Sequence, residues 1–463
     1  MVPLLLESAV LAVTALLALL STINVASIVL SRRRRRRGGS NRVGPEELEF
    51  VIVSKASRQV IETLVATVEE VRKRFPEYRI WIVVDEGSYG IPVLRSIAGK
   101  LGFELVVVSS DYDKGRFKAR AMNYFIENYV EDEKWYVFLD DDSYPLDDRF
   151  LYEIREEIPV YNGILAPRRG RGLIPWLADS VRYYSDVTRA RFALETLRKP
   201  IYGLHGELLI VKGWVLTMIG FNTDSLTEDS WFAARLIERG IPVGQVSTRV
   251  SIQSPPTIRD FMVQRSRWFL GRLRDFLRGE YPALMMLAYL LELLFMLLFP
   301  LIHLVVALKV AYNIEFKGSL AIVESWVRYA GLPLLATAYT LYHAIERRNP
   351  LAALATVALL PVITVIEAHT VTYAFKNYKR LKGNFIVVNK DLASQAGSRE
   401  EIREMEEVEP SLLPHLKPEG ETLTPPFSIV IAGEISPWML EGGVKPFVKV
   451  KSVQELTLPE ARI

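Results

Sequence analysis

The sequence predicts an α/β aqueous domain attached to a small bundle of membrane helices. Half of the 463 residues are hydrophobic, which is high for a soluble enzyme, yet 24% are charged, which is too many for a chain made only of membrane spans. Between residues 45 and 263, short apolar runs alternate with helical patterns, as in a mostly parallel sheet covered by helices. Long apolar stretches lie on both sides of that region.

Four apolar runs of the aqueous domain are predicted to be buried strands: Glu49–Ser54, Arg79–Val84, Phe103–Val108 and Trp135–Leu139. The pattern of Gln59–Phe75 predicts a helix between the first two. Ligands bind such sheets outside the carboxyl ends of the strands, where Asp85 and Asp140 both lie. Neither residue belongs to a G-x-G-x-x-G or Walker A loop, so dinucleotide-binding and P-loop functions lack their signature.

Four apolar stretches are long enough to cross about 30 Å of hydrocarbon: Ser8–Leu30, Ala283–Val310, Leu320–Ile345 and Leu351–Phe375. Arg32–Arg37 follows the first stretch, whereas a signal peptide has its basic residues before the apolar run. The cytoplasmic bias of basic residues therefore predicts an outside N-terminus and a cytoplasmic aqueous domain. Arg347–Arg348 and Lys376–Lys382 both look cytoplasmic. The last stretch is therefore re-entrant or interfacial, or the C-terminal tail lies outside.

The composition excludes several classes of function. The chain has no cysteine, so disulfide scaffolds, zinc fingers, iron–sulfur centres and thiol nucleophiles are ruled out. The net charge is only +3 and depends on the Arg32–Arg37 run, so nucleic-acid binding through a broad basic surface is not expected. Absent cysteine together with abundant arginine and glutamate is typical of a thermophilic source.

Two polar clusters follow predicted strands and suit a phosphorylated ligand. Asp140-Asp141-Asp142 ends one strand, and its mutual repulsion is relieved either by solvent or by a divalent ion shared with a diphosphate. Lys114 and Lys118 stand in the basic run KGRFKAR, which either binds phosphate or is a solvated helix start.

Two later motifs have a structural and a chemical interpretation each. Thr227-Glu228-Asp229 precedes an amphipathic helix at Ser230–Arg239, so it is a helix N-cap or it supplies a general base. Gln264-Arg265-Ser266-Arg267-Trp268 lies just before an apolar stretch. Its basic and aromatic side chains either anchor the chain at the membrane interface or grip a diphosphate and stack on a sugar.

The order Asp85, Asp140-x-Asp142, Thr227-Glu228-Asp229, Gln264-x-x-Arg267-Trp268 resembles that of the family-2 glycosyltransferases with a GT-A fold. The Gln-x-x-Arg-Trp element is typical of their membrane-embedded branch, which includes cellulose, chitin and hyaluronan synthases.

Residues 45–391 also resemble the egghead-type β-mannosyltransferases, which use GDP-mannose and a glycolipid acceptor. The segments that carry this likeness are Lys114–Phe125, Lys134–Ser143, Trp176–Arg182, Gly203–Val211, Leu226–Leu236, Gln264–Gly271 and Asn384–Asp391. Phe385-x-Val387-x-x-Lys390 is similar to the gating loop of cellulose synthases, but Val388 stands where that loop has threonine. This loop favours a cytoplasmic end to the last membrane segment.

The resemblance implies a role for each motif residue. Asp229 is implied as the catalytic base. His205, Glu228 and Trp268 are implied on the acceptor side. The implied donor-binding residues are Asp85, Lys114, Lys118, Asp140, Asp142, Gln264, Arg265 and Arg267, with Mn²⁺ or Mg²⁺ held by Asp142 and Asp140.

The apolar stretches, the resemblance over residues 45–391 and two strand-like runs near the C-terminus together predict the domain organisation. The expected parts are an N-terminal transmembrane helix (1–31), a basic linker (32–44), a GT-A catalytic domain with a mostly parallel sheet (45–263), an interfacial segment (264–282), transmembrane or interfacial helices (283–375), a gating-loop-like segment (376–398) and a C-terminal appendage containing short β-strands (399–463).

The expected function is inverting transfer of a sugar, mannose from GDP-mannose, onto a lipid-linked glycan at the cytoplasmic membrane face. A polyprenyl (dolichol-type) carrier suits a thermophilic archaeon, which would place the reaction in N-glycan assembly. The alternatives are a processive polysaccharide synthase, a polyprenyl-phosphate monosaccharide transferase and, without catalysis, a membrane transporter or scaffold.

Overall fold

The computed structural model describes residues 41–168, 170–294, 296–297 and 350–382, together with residues 26, 27 and 321. Several predicted features lie almost entirely outside these residues. They are the N-terminal span, the Arg32–Arg37 run, the Leu320–Ile345 stretch, the Phe385–Lys390 loop and the appendage 399–463.

The described residues contain an eight-stranded sheet. Its strands are β1 (Leu48–Ser54), β2 (Arg79–Asp85), β3 (Glu104–Val108), β4 (Trp135–Leu139), β5 (Tyr144–Pro145), β6 (Val160–Arg168), β7 (Leu209–Lys212) and β8 (Val243–Gln253). The helices are α1 (Ile61–Arg74), α2 (Ile91–Leu101), α3 (Lys118–Tyr129), α4 (Phe150–Glu153), α5 (Leu173–Ser185), α6 (Gly213–Ile219), α7 (Glu228–Glu238), α8 (Ile258–Leu277), α9 (Ala283–Leu294), α10 (Pro350–Lys376) and α11 (Tyr378–Lys382). Two π-helical turns, Asp186–Ala190 and Ala193–Leu197, follow α5.

The strand order is β3-β2-β1-β4-β7-β6-β8-β5. The first four strands are parallel, which confirms the α/β class and the four strands predicted from the sequence. The other half of the sheet is mixed. There β6 is parallel to β8, whereas β7 is antiparallel to both β4 and β6, and β5 is antiparallel to β8. Along the chain, β7 follows β6 after α5 and the two π-helical turns.

Helices cover both faces of the sheet, as β1 shows most directly. Phe50 and Ile52 pack in one layer with residues of α1 and α2, whereas Val51 and Val53 pack in the other with residues of α3 and α7. This alternation follows from the two-residue repeat of a strand. Each fully buried Val, Ile, Leu or Phe side chain contributes roughly 1.5–3 kcal/mol to the stability of the fold. Packing on both faces therefore holds each strand in place, together with the residues at its end.

Helix α8 lies against α10 and α5. Ile363 of α10 packs with Trp176 and Phe261, and the Ser266 hydroxyl donates a hydrogen bond to the Thr370 carbonyl at 3.0 Å. Across the described residues, no unbroken helix has both the length and the apolar character to cross a bilayer. One pair, Leu354–Leu360 with Val362–Lys376, meets both requirements jointly across a 51° bend.

Gly213, at the start of α6, has no room for a side chain. A Cβ there would lie 1.9 Å from the Glu131 carbonyl oxygen. We expect Gly213→Ala to cost at least about 1–3 kcal/mol, because rigid backbone would have to move. Gly99→Ala is the matched control, since a Cβ in that helix meets nothing within 4 Å. It should be neutral or stabilising by about 0.4–1 kcal/mol. Thermal unfolding followed by tryptophan fluorescence compares the two, and equal melting temperatures would contradict the packing argument.

Candidate active site

A cavity of about 530 Å³ lies outside the carboxyl ends of β1, β2 and β4, where the sequence places its acidic motifs. Residues from α5, α7 and α8 form its other walls. The predicted site residues that line it are Asp85, Lys118, Asp140, Asp142, His205, Glu228, Asp229, Gln264, Arg265, Arg267 and Trp268. Four motifs that are far apart in the chain therefore share one cleft, whose size is ordinary for a small-molecule site.

The carboxylates at the strand ends have different partners. Asp85 forms an ion pair with Arg120, and burial, which Arg120 only partly offsets, raises the pKa of Asp85. Asp141 accepts a hydrogen bond from the Ser54 hydroxyl at 2.7 Å, which ties it to the end of β1. The backbone carbonyl of the buried Asp142 accepts from Arg168 at 2.9 Å.

Lys118 joins two of the acidic motifs. Its side chain is only 12% exposed, pairs with Asp140 and lies 3.8 Å from Glu228. Burial opposes its charge, but Asp140 and Glu228 outweigh that effect and raise the pKa of Lys118. A Cβ at Gly206 would lie 2.8 Å from the Lys118 nitrogen. Glycine at this position therefore leaves space for Lys118 between Asp140 and Glu228.

Asp229 sits at the first turn of α7 and is half-buried in the cavity wall. Burial and the nearby charges of Glu228 and Glu207 raise the pKa of Asp229 to about 7. A carboxyl group with such a pKa can accept a proton at neutral pH. Thr227 is the N-cap residue of α7 and Glu228 and Asp229 lie in its first turn, although the Thr227 side chain makes no capping hydrogen bond. The motif therefore begins the helix and also faces the cavity.

The two arginines of the Gln-x-x-Arg-Trp segment have separate tasks. Residues two apart on an α-helix point about 200° apart. Arg265 pairs with the buried Asp179 of α5 at 2.6 Å. The charge neighbours of Arg267 are instead Glu228, Asp140 and Asp229. Arg267 is therefore the arginine that faces the acidic motifs, and Arg265 holds α5.

Trp268 is in contact with two guanidinium groups. Arg182 and Arg265 lie 4.5 and 4.4 Å from its ring centroid, which is cation–π distance. At least one face of the indole is therefore covered by protein, which limits the sugar stacking predicted for this residue.

His205 is held by three neighbours. Its backbone nitrogen donates to Asn162 at 3.1 Å, its Nδ1 lies 2.8 Å from the Glu207 carbonyl, and its Nε2 lies 3.4 Å from the Asp186 carboxylate. Burial opposes protonation, but Asp186 and Glu207 prevail and raise the pKa of His205.

Lys114, which was predicted to bind the donor, lies outside the cavity that the other predicted site residues line. Its side chain is 55% exposed and pairs with Glu127 at 2.7 Å, outside the cavity. The chain turns at Gly115, which has a φ of +78°, and again at Phe117, so Lys118 faces the cavity and Lys114 does not.

Several cavity residues were missed by the sequence analysis, including Arg182, Asp186, Arg189, Glu207 and Arg272. Arg182 and Glu207 stand within segments that resemble the mannosyltransferases, so that likeness is a signal that could have identified them. No local motif marks the other three.

The cavity extends toward α9 and α10. Glu292 of α9 forms ion pairs with Arg189 at 3.0 Å and with Arg272 at 2.9 Å, one arginine on each carboxylate oxygen. Leu293, Met296 and Thr364 continue the wall. This end therefore combines an ion-pair cluster with apolar residues from the stretches that were predicted to enter the membrane.

The acidic side chains of the cavity wall offer oxygen ligands for a divalent ion. Within the described ranges, no three His, Cys, Asp or Glu side chains are grouped closely enough to hold a metal alone. A Mg²⁺ or Mn²⁺ site does not require this, because one or two carboxylates suffice where substrate phosphates supply the other oxygens. Asp140 and Asp142 at the cavity wall fit a shared site of that kind.

The Asp179–Arg265 pair should contribute strongly to stability. Asp179 is 1% exposed and also lies 3.8 Å from Arg182. We expect Asp179→Asn to cost about 3–5 kcal/mol, because it leaves buried arginine charge uncompensated. Glu127→Gln removes an exposed pair and should change stability by less than about 1 kcal/mol. Melting temperatures measured in detergent test this, and a loss no larger in Asp179→Asn than in the control would refute it.

Comparisons with known proteins agree with the motifs. Residues 135–363 match the model of the glycosyl transferase family group 2. The β-1,4-mannosyltransferase egh of Drosophila melanogaster is 27% identical over 190 residues, which are 36% of this chain and 40% of that protein. The β-1,4-mannosyltransferase bre-3 of Caenorhabditis elegans is 25% identical over 173 residues, 34% of this chain and 37% of that protein. The chain thus matches less than half the length of these relatives.

Solved structures with some similarity include the mannosyltransferase PcManGT from Pyrobaculum calidifontis in complex with GDP-Man and Mn²⁺. It is 16% identical with a TM-score of 0.43, over 79% of this chain and 99% of that one. S. aureus TarS 1–349 in complex with UDP-GlcNAc is 14% identical with a TM-score of 0.33, over 72% and 92%. The family match and the ordered motifs around one cavity lead to one conclusion: residues 135–363 carry a glycosyl transferase family group 2 domain.

Proposed function

We propose that this protein is an inverting β-mannosyltransferase that moves mannose from GDP-mannose onto a lipid-linked glycan at the cytoplasmic face of a membrane. The observation that carries the proposal is the convergence of Asp85, Asp142 and Asp229 on one cavity with Lys118 and Arg267. The names of the curated relatives support mannose as the sugar.

The donor end of the cavity is the edge of the sheet. We assign Asp85 to binding of the nucleoside. We assign Lys118, Gln264 and Arg267 to binding of the diphosphate, because their N–H groups can donate hydrogen bonds and the residues line the cavity. Asp140 and Asp142 are the residues that would hold Mn²⁺ or Mg²⁺. When bound, such an ion offsets negative charge on the diphosphate as it leaves.

Asp229 is the proposed general base. The acceptor hydroxyl attacks the anomeric carbon from the side opposite the diphosphate, and its proton passes to Asp229. The bond between the anomeric carbon and the phosphate oxygen breaks at the same time, and the leaving diphosphate takes that electron pair. One displacement converts an α-linked donor into a β-linked product. Lys118 and Arg267 stabilise the leaving group from fixed positions.

The acceptor is assigned to the opposite end of the cavity, toward α9 and α10. Leu293, Met296 and Thr364 lie there, on segments predicted to be membrane-associated. A glycan on a lipid could enter from that side without leaving the bilayer. A polyprenyl-linked acceptor is the form we favour for a thermophilic source.

Radiolabelled sugar transfer tests the proposal. Membranes containing the wild-type protein and Mn²⁺ should transfer label from GDP-mannose, and not from UDP-glucose or UDP-N-acetylglucosamine, into an organic-extractable, mild-acid-labile lipid fraction. Asp229→Asn should bind donor but lose on the order of a hundredfold or more in turnover, as the loss of a general base requires. Label found only in long aqueous polymer would instead favour a processive synthase, and an active Asp229→Asn would remove the base assignment.

The pH dependence of turnover tests the environment of Asp229. Because the base must be deprotonated, kcat should rise with pH through the Asp229 pKa of about 7. Glu207→Gln removes a negative charge that raises this pKa, so the acidic limb should move to lower pH. Glu238→Gln, at the far end of α7, is the matched control and should leave the limb in place. An unmoved limb in Glu207→Gln would exclude this electrostatic coupling.

A further inference from the structure

A buried carboxylate that does not line the cavity contacts the loop that carries the proposed base. Asp275 lies on α8, two helical turns beyond Arg267, and is 2% exposed. Its Oδ2 accepts a hydrogen bond from the Ser225 hydroxyl at 2.5 Å and lies 3.4 Å from the Thr227 hydroxyl. Thr227 directly precedes Glu228 and Asp229. Asp275 therefore contacts the segment that carries the proposed base on the side that faces away from the cavity.

The Ser225 hydroxyl both donates and accepts a hydrogen bond in this arrangement. It donates to Asp275 and accepts from the Thr227 backbone nitrogen at 3.0 Å. The Thr227 carbonyl then accepts from the Trp231 nitrogen at 3.0 Å in the first turn of α7. A continuous chain of hydrogen bonds therefore runs from Asp275 through Ser225 and Thr227 into the helix that begins with the catalytic acids.

The register of α8 puts three of its residues on the same side. Arg267, Gly271 and Asp275 are spaced by four, which places them in one stripe along the helix. Arg267 is near Glu228 and Asp229. A Cβ at Gly271 would lie 2.9 Å from the Thr227 hydroxyl oxygen, so this glycine allows α8 to lie directly against the loop.

We propose that Asp275 is a positioning residue that holds Glu228 and Asp229 in register with Arg267 by fixing the Ser225–Thr227 loop on α8. The contact between α8 and the loop thereby fixes the distance between Arg267, which faces the leaving group, and Asp229, which accepts the proton. Misplacing a reacting group by about 1 Å can cost on the order of a hundredfold in rate, so a residue outside the cavity can control turnover.

The surroundings of Asp275 make its charged form costly. Burial raises its pKa to about 6, which the Ser225 hydroxyl and Arg274 partly oppose. The other titratable groups that face it are Glu280, Tyr281 and Tyr289. A carboxylate maintained here against its desolvation indicates a specific geometric requirement, because a well-packed apolar side chain would stabilise the helix contact without that cost.

The inference rests on the proposed function, and kinetics of two Asp275 variants test it. Asp275→Ala should lower kcat by roughly 10- to 100-fold with the donor KM unchanged. Asp275→Asn keeps an oxygen that can accept from Ser225 and should recover most of that loss. The acidic limb of the kcat–pH profile should move in Asp275→Ala, because the loop that sets the distance of Asp229 from its charged neighbours is released.

Asp260→Asn is the control on the same helix. Asp260 accepts from the Thr257 hydroxyl at 2.6 Å at the start of α8, away from the loop. This variant should lower the melting temperature and leave kcat and the pH limb unchanged. If Asp275→Ala behaves in the same way, with only its stability lowered, the positioning role is wrong.

Two further measurements separate the possible failures. If Asp275→Ala does not fold, Ser225→Ala removes the donating hydroxyl alone, and it should still lower kcat; an unchanged kcat would overturn the proposal. In an Asp229→Asn background, Asp275→Ala should add almost no further loss of turnover, since both act through one group. Full additivity would refute the coupling. Failure of the proposed function is recognised independently, because wild-type protein would transfer no label from GDP-mannose.

Discussion

The bridge of Lys118 between Asp140 and Glu228 is the interaction on which the rest of the site depends. Asp140, Asp142, Glu207, Glu228 and Asp229 are among the acidic residues that line the cavity, and their mutual repulsion would be unfavourable if no cation lay among them. Lys118 comes from α3, Asp140 from the end of β4 and Glu228 from α7. Removing one partner of such a buried group typically costs about 3–5 kcal/mol, so folding and function share this contact.

Helix α8 organises the other half of the cavity through its periodicity. Arg265 is directed to α5, Ser266 to α10 and Arg267 to the carboxylates, so three consecutive residues contact three different elements. Within the Gln-x-x-Arg-Trp segment, Arg265 and Ser266 therefore contact neighbouring helices, and Arg267 faces the acidic residues of the cavity.

The sequence predicts those parts of the molecule that local patterns determine. The first four strands are uninterrupted apolar runs, and their carboxyl ends fix Asp85 and Asp140 at one edge. Strands β6 and β8 were not predicted, because buried polar residues such as Asn162 and Thr248 interrupt their apolar pattern. Arg189 and Glu292 meet only through tertiary packing, which no spacing in the chain reveals. Lys114 and Lys118 look equivalent in sequence, and only the turn at Gly115 separates them.

The π-helical turns after α5 form part of the cavity wall. A π turn accommodates one extra residue within a helix, and such turns are concentrated at functional sites. Arg189 lies within the first of these turns, lines the cavity and pairs with Glu292 at 3.0 Å. The length of this segment therefore matters as much as its side chains, because removing one residue from the turn would redirect Arg189 away from its carboxylate.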